Sequence, residues 1–317
     1  MQRIEQAHAH DRTDQDKSVG REGAWRMAIA PHDDYCYVGS MYPLVLNGVR
    51  ARTVVIFGVA HKASQLGLED QLIFDSFTHW HGPYGDIPVS SLREELMGKL
   101  VQGSYQINDE MHGIEHSVEA KLPFLQYFNR NVRFVPILVP CMSYSRMEEL
   151  AQALAKAIAA AMDKHGLAWG KDVALVSSTD AVHYGDEGWN GRNFARYGVG
   201  AEAYRSAVAH EHQIMGDCFS SDLHPHKIRR FMEYVLAARD HREYQWPWCG
   251  RYSVPLGLLT AWHLQQLRSA APLEGTILGY ATSIDHPKLE VDDLGGMGVN
   301  APATLRHWVG YAAIGFR

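Results

Sequence analysis

Short apolar runs alternate along the chain with longer stretches in which apolar residues recur at helical spacing. The runs RMAIA (26–30), RTVVIFGV (52–59), QLIFDSF (71–77), GDIPV (85–89), VRFVPILV (132–139), DVALVSS (172–178), TILGYAT (276–282) and HWVGYAAIGF (307–316) predict strands. The stretches 90–102, 117–128, 145–166, 194–215, 225–239 and 253–269 predict helices, the first with Ser90 as its N-cap and the third ended by Lys-His-Gly. Strands that alternate with helices imply an α/β fold: a single domain over 23–317 with a mainly parallel central sheet flanked by helices. Residues 1–22 are polar and mixed in charge, and read as a flexible N-terminal tail.

Composition narrows the function classes. The 317 residues are 46% hydrophobic and 21% charged, with a formal net charge of -6 and no Lys/Arg run, so no nucleic-acid footprint is expected. There is no apolar span long enough for a membrane and no apolar leader at the start, so a cytoplasmic protein is expected. The four cysteines, Cys36, Cys141, Cys218 and Cys249, have irregular spacing and read as free thiols. The 18 histidines make a metal site worth seeking.

Polar residues gather where strands end. His32 follows the first strand, His61 the second, and Asp180 and His183 follow DVALVSS. Ligands in open α/β sheets bind beyond the carboxyl ends of the strands, so these distant residues are expected to converge. Cys249 precedes a predicted helix, where the helix dipole favours a lowered thiol pKa and the metal-binding thiolate. Glu115 and His116 are expected to open another helix, with His116 a second acid–base candidate. Taken singly, each of these residues has an ordinary structural explanation; taken together they predict a shared site. His79 and His81 would put both rings on one face of a strand, a candidate ligand pair, and His224/His226 and His8/His10 fall in loop and tail; for all three pairs the ordinary structural reading is preferred.

The stretches APHDDYCYVGS, FGVAHK, DEMHGIEHSVEAKLPFL, VPILV, SSTDAVHYG, CGRYSVPLGLL, GYATS and GYAAIGF, in this order, resemble the Memo family, which includes the B protein of the AmmeMemoRadiSam system. That family is similar in fold to the class III extradiol dioxygenases, non-haem iron enzymes that open catechol rings. The resemblance implies metal ligands at His32, His61 and Cys249, pocket residues at Asp180 and His183, and an aromatic pocket residue at Tyr37. Where the family reads Pro-His-Ala-Gly-Tyr, this chain has Pro31-His32-Asp33-Asp34-Tyr35, so Asp33 and Asp34 become candidate pocket carboxylates. The Gly-rich, acidic stretch 285–303 is a candidate lid.

Two imidazoles and one anionic ligand suit non-haem Fe(II), and a thiolate also tolerates Cu or Zn. The expected activity is oxidation or oxygenation of a small, aromatic or enolisable substrate, with His183, held by Asp180, or else His116 moving the proton. A metal-dependent hydrolase, a non-enzymatic adaptor and a Cys/His nucleophile are the alternatives. Partners of an AmmeMemoRadiSam-type system are the expected protein partners.

Overall fold

In the order of the sequence, β1 (Met27–Ala30) leads into two short helices, α1 (Tyr35–Val38) and α2 (Met41–Leu46), and then β2 (Thr53–Val59). A one-turn 3-10 helix, Ala63–Leu66, precedes β3 (Leu72–Phe74) and the hairpin β4 (His79–Gly82) and β5 (Gly85–Pro88). Next come α3 (Leu92–Met97), β6 (Tyr105–Ile107), α4 (Asp109–Gly113), a 3-10 turn at Glu119–Lys121, α5 (Leu122–Phe128) and β7 (Arg133–Val139). The second half holds α6 (Tyr144–His165), β8 (Val173–Ser178), β9 (His183–Gly185), α7 (Ala201–Phe219), β10 (Ser221–Asp222) and α8 (Pro225–Val235). It ends with β11 (Leu236–Ala237), β12 (Asp240–Tyr244), α9 (Ser253–Leu267), β13 (Glu274–Thr282) and β14 (His307–Phe316). This is a computed structural model, and it describes residues 24–285, 288 and 300–317. The tail read at 1–22 and most of the stretch 285–303 lie outside the described residues.

The expected α/β architecture holds. The main sheet runs β10-β13-β14-β1-β8-β2-β7-β3-β6, with β9 paired to β14. Its centre, β1-β8-β2-β7, is parallel, whereas β14 and β13 on one side and β3 against β7 on the other pair antiparallel. Apart from Thr53, Arg133, Ser177 and Ser178 at their ends, the parallel strands are apolar because both faces are covered. Alternation splits them between two cores: Met27, Ile29, Val55 and Phe57 pack with α6 and α9, while Ala28, Ala30, Val54 and Ile56 pack with α2 and α5.

The differences from the sequence reading have local causes. The helix expected over 194–215 starts only at Ala201, because Gly198 (φ 83°) and Gly200 (φ 101°) take left-handed conformations that end a helix or stop it starting. The stretch 117–128 opens as a 3-10 turn, and Pro123, expected at a kink or a boundary, sits at the boundary, in the first turn of α5, where proline is tolerated. Helix 90–102 shrinks to α3, whose N-cap is Ser91. The short elements α1, α2, β6, α4 and β9 to β12 carry too few residues to show a period.

Candidate metal centre

Three neighbouring parallel strands, β1, β8 and β2, each deliver one polar residue two positions beyond their last residue: His32, Asp180 and His61. The register aligns Ala30 with Ser178, so the strand ends lie level and the side chains meet. Cys249 joins them from the loop before α9. That loop crosses residues 179–182: the Gly250 N–H donates to Thr179 Oγ1 (2.9 Å), and Val182 bridges to Trp248. A Cβ on Gly250 would stand 2.3 Å from Thr179 Cβ, so only glycine allows the crossing. The Asp180 N–H then points at Cys249 Sγ, 3.0 Å away.

His32, His61 and Cys249 offer ligand atoms that all lie within 4.8 Å of one another. Cys249 Sγ is 3.3 Å from His32 Nε2. His32 and Cys249 are buried, at 3% and 6% exposure, whereas the His61 ring is one-third open. His116 stacks on His61 (centroids 5.1 Å, planes 8° apart) and meets His32 edge-on at 5.2 Å. Glu115 and His116 lie in the loop between α4 and the 3-10 turn, not at the opening of a helix.

Each imidazole is held from behind. Ser178 Oγ donates to the Ser117 carbonyl (2.7 Å) and so has only acceptor capacity left for His32 Nδ1, 2.7 Å away. That fixes the proton on Nδ1 and turns the Nε2 lone pair towards Cys249. Glu115 does the same for His61: its Oε1 lies 3.0 Å from His61 Nδ1, and the carboxylate also accepts from the N–H groups of His61, His116 and Ser117. Burial alone pushes the Glu115 carboxyl up, but the His61 ring and these N–H donors outweigh it and bring it down to about 2. Gly58, in β2, lets this segment approach: a Cβ there would lie 2.7 Å from Val118 Cγ2 and 2.8 Å from Ser117 Oγ.

Lys121 lies beneath the site with no exposed surface. Its Nζ donates to the Pro31 carbonyl (2.8 Å), the Ser117 carbonyl (2.9 Å) and Ser178 Oγ (2.5 Å), using all three protons of an ammonium. Burial nonetheless brings its pKa down to about 7. Read along the sequence, Lys121 is an ordinary polar residue of a helix. Only the contact of 117–121 with β1 and β8 gives it this position.

Burial holds the imidazoles of His32, His116 and His183 below the ordinary histidine pKa, which favours neutral rings with a free lone pair. The thiol expectation is overturned. Burial pushes Cys249 well above its usual value and the Asp180 carboxylate adds to this, while α9 begins four residues too late to compensate. The expected Asp180–His183 contact is also absent. Asp180 accepts from the His32 N–H (2.9 Å) and its Oδ2 lies 3.2 Å from His32 Nε2, while His183 Nδ1 faces the Pro247 carbonyl at 3.2 Å. His183 is still near enough for the charges of Asp33 and His61 to act on it.

The Asp33 carboxylate accepts from the Tyr311 hydroxyl (2.7 Å) and the Asp34 N–H (2.7 Å). The Tyr37 hydroxyl donates to the Ala301 carbonyl at 2.6 Å. Two cavities flank the centre. One of about 470 Å³ holds His61 and Cys249, with Tyr244 and Tyr252 among its walls. The other, about 350 Å³, holds His32, Asp33, Asp34 and His116. Tyr37 lines neither. On the hairpin, His79, His81 and Asp86 also converge, all exposed and paired with one another.

An α/β sheet with a histidine–cysteine cluster at its strand ends defines the class of protein. A profile of the family described as Memo-like protein matches residues 4–294, and the chain belongs to that family. It is similar to MEMO1 family proteins of Methanothermobacter thermautotrophicus (28% identity over 174 residues, 53% of this chain and 57% of the relative) and Saccharolobus islandicus (33% over 164 residues, 49% and 52%). A third, from Pyrococcus horikoshii, is 29% identical over 177 residues, 53% and 57% of the two chains. The matched part therefore spans about half the length of these curated relatives.

Proposed function

We propose that the chain is a metal-dependent oxidoreductase of the dioxygenase type, with His32, His61 and Cys249 holding non-haem Fe(II), or Cu or Zn in its place. The observation that carries this reading is the orientation of the donors. Ser178 and Glu115 occupy the Nδ1 sides of the two rings, turning the Nε2 of His32 to Cys249 Sγ and Asp180 Oδ2 and leaving the Nε2 of His61 without a hydrogen bond among the described residues. Backing of this kind, where a ligand's second nitrogen is held by an oxygen, is how protein metal sites orient imidazole. The chemistry such an ion supplies when bound is Lewis acidity and, for iron or copper, electron exchange with dioxygen.

The remaining steps belong to the protein. The cavity beside His61 and Cys249 takes a small substrate with an aromatic or enolisable body between Tyr244 and Tyr252. Burial of His32 and Cys249 keeps water from their donor atoms. His183, its Nδ1 turned to Pro247 and its ring also held by the Ala181 backbone, is the first candidate to hold or move a proton, and His116 is the second. Asp180 acts by orienting His32 and Cys249. No helix of the described residues is long and apolar enough to cross a membrane; a cytoplasmic place, with a small-molecule substrate and AmmeMemoRadiSam-type protein partners, accords with this reading.

Metal content and dioxygen uptake, measured on anaerobically purified protein reloaded with Fe(II) beside His61→Ala, test it. Stoichiometric iron and uptake that depends on an added catechol, both lost in the variant, are expected. Bound metal without uptake would favour the hydrolase, and no metal in either protein would favour the adaptor.

A further inference from the structure

The cavity that holds His61 and Cys249 also carries two arginines, and their charges are not equivalent. Arg242 is neutralised at the rim, its Nη2 lying 3.1 Å from Glu69 Oε2. Arg251 makes no ion pair among the described residues. It stands instead against aromatic faces, with the guanidinium carbon 3.6 Å from the Tyr244 centroid and 4.9 Å from that of Tyr252. Its Nη1 is out of reach of water and without a hydrogen-bond partner. A desolvated guanidinium donor with nothing to donate to is unfavourable unless a ligand completes it. Aromatic stacking fixes the plane of the guanidinium, which also hydrogen-bonds to Tyr252 and lines the cavity, and a guanidinium plane so fixed is what a planar carboxylate pairs with.

We infer that Arg251 is the anchor of an anion subsite in this cavity, and that the substrate of the centre is a small carboxylate whose apolar or aromatic body lies against Tyr244 and Tyr252. This rests on the proposed function for the identity of the centre, since Arg251 stands two residues beyond Cys249 and lines the same cavity. One uncompensated positive charge matches a monoanion. A phosphate, closer to a dianion, calls for a second free cation, and Arg242 is already paired with Glu69. The carboxylate would hold the far end of the molecule and leave its reactive end facing His61 and Cys249.

The test is equilibrium binding of benzoate, its neutral isostere benzamide, and phenyl phosphate to the full chain, in chelator and again with added Zn(II). Benzoate is expected to bind at least tenfold more tightly than benzamide, and Arg251→Gln to remove that preference while its melting temperature stays near wild type. His32→Ala, which abolishes the proposed metal site from outside this cavity, should keep the preference, so failure of the metal reading and failure of this one are separable. Equal binding of benzoate and benzamide, or a preference that survives Arg251→Gln, overturns the proposal. Tighter binding of phenyl phosphate than of benzoate overturns the assignment to a carboxylate. Should Arg251→Gln not fold, Ser64→Asp places a negative charge on the exposed wall of the same cavity. It should weaken benzoate at least fivefold and spare benzamide, and an unchanged benzoate affinity counts against the subsite.

Discussion

The sulfur of Cys249 lies 3.3 Å from Nε2 of His32, although 217 residues separate the two. Neither residue is free to drift: Ser178 holds the ring, and the Asp180 N–H and the Thr179 contact hold the cysteine loop. Cys249→Ser replaces a soft donor with a hard, poorly ionised one at nearly constant shape. Affinity for Zn(II) or Cu(I) is expected to fall at least a hundredfold, read by competition with a chromogenic chelator. A smaller change would remove Cys249 from the ligand set.

Glu115 is tested by Glu115→Gln. The amide loses the charge and turns a donor towards groups that need an acceptor. Metal affinity should drop about 10- to 100-fold, as for other groups that back a ligand histidine. The acid limb of the stability curve should change too. With its pKa lowered from 4.5 to about 2, Glu115 contributes stability above pH 4.5 that is lost as pH falls towards 2, in all about 3 kcal/mol. Urea midpoints between pH 2 and 6 should show that slope in the wild type and a flatter one in the variant.

Lys121→Met keeps the length of the side chain and removes all three donors. The Pro31 and Ser117 carbonyls and Ser178 Oγ then lose a buried partner each. A loss of roughly 3 kcal/mol in chemical denaturation is expected. Ser178 should also hold His32 less firmly, so metal affinity should fall in parallel. A variant as stable as wild type would mean that the ammonium adds nothing beyond its own desolvation.

Glu211 gives the opposite pH dependence. It lies on α7, fully buried, and accepts from the indole N–H groups of Trp246 (2.5 Å) and Trp248 (2.8 Å). Burial raises its carboxyl from 4.5 to about 7. The folded protein therefore holds the proton where the unfolded chain has released it, and stability declines as pH rises from 4.5 to 7, by about 3 kcal/mol in all. Glu211→Gln, which cannot ionise, should flatten that window, and thermal melts at half-unit pH steps would show it.

Gly58→Ala probes the packing behind His61. Its Cβ would press on Leu138, Val118 and Ser117 at 2.7 to 2.8 Å. About 1–3 kcal/mol of stability should be lost. Displacement of 115–118 should also loosen the Glu115–His61 contact, visible as weaker metal binding.

The strands were the most legible part of the sequence, because a parallel sheet buried on both faces leaves long apolar runs such as RTVVIFGV and VRFVPILV. The strand-end rule also brought His32, His61 and Asp180 together in advance. What could not be read was which polar group holds which. Asp180 and His183 are near in sequence, yet Asp180 turns to His32 while His183 Nδ1 turns to the Pro247 carbonyl. Lys121 and Ser178 carry no local signal, since their role exists only once β1, β8 and the 117–121 segment are packed. The Cys249 environment was misjudged for a similar reason: distance to a helix start can be counted along the chain, but burial cannot.

β8 lies between β1 and β2, so the two histidines start from strands about 10 Å apart, twice the usual strand spacing, yet their ring centroids are only 5.1 Å apart. Both rings converge over the end of β8, where Ser178 Oγ accepts from His32 Nδ1. The gap between the rings is thus tied to the sheet through the Ser178 contact at the end of the middle strand. Loops around the rim can lengthen or change in charge, as Asp33 and Asp34 do, and retune which molecules enter without altering that span.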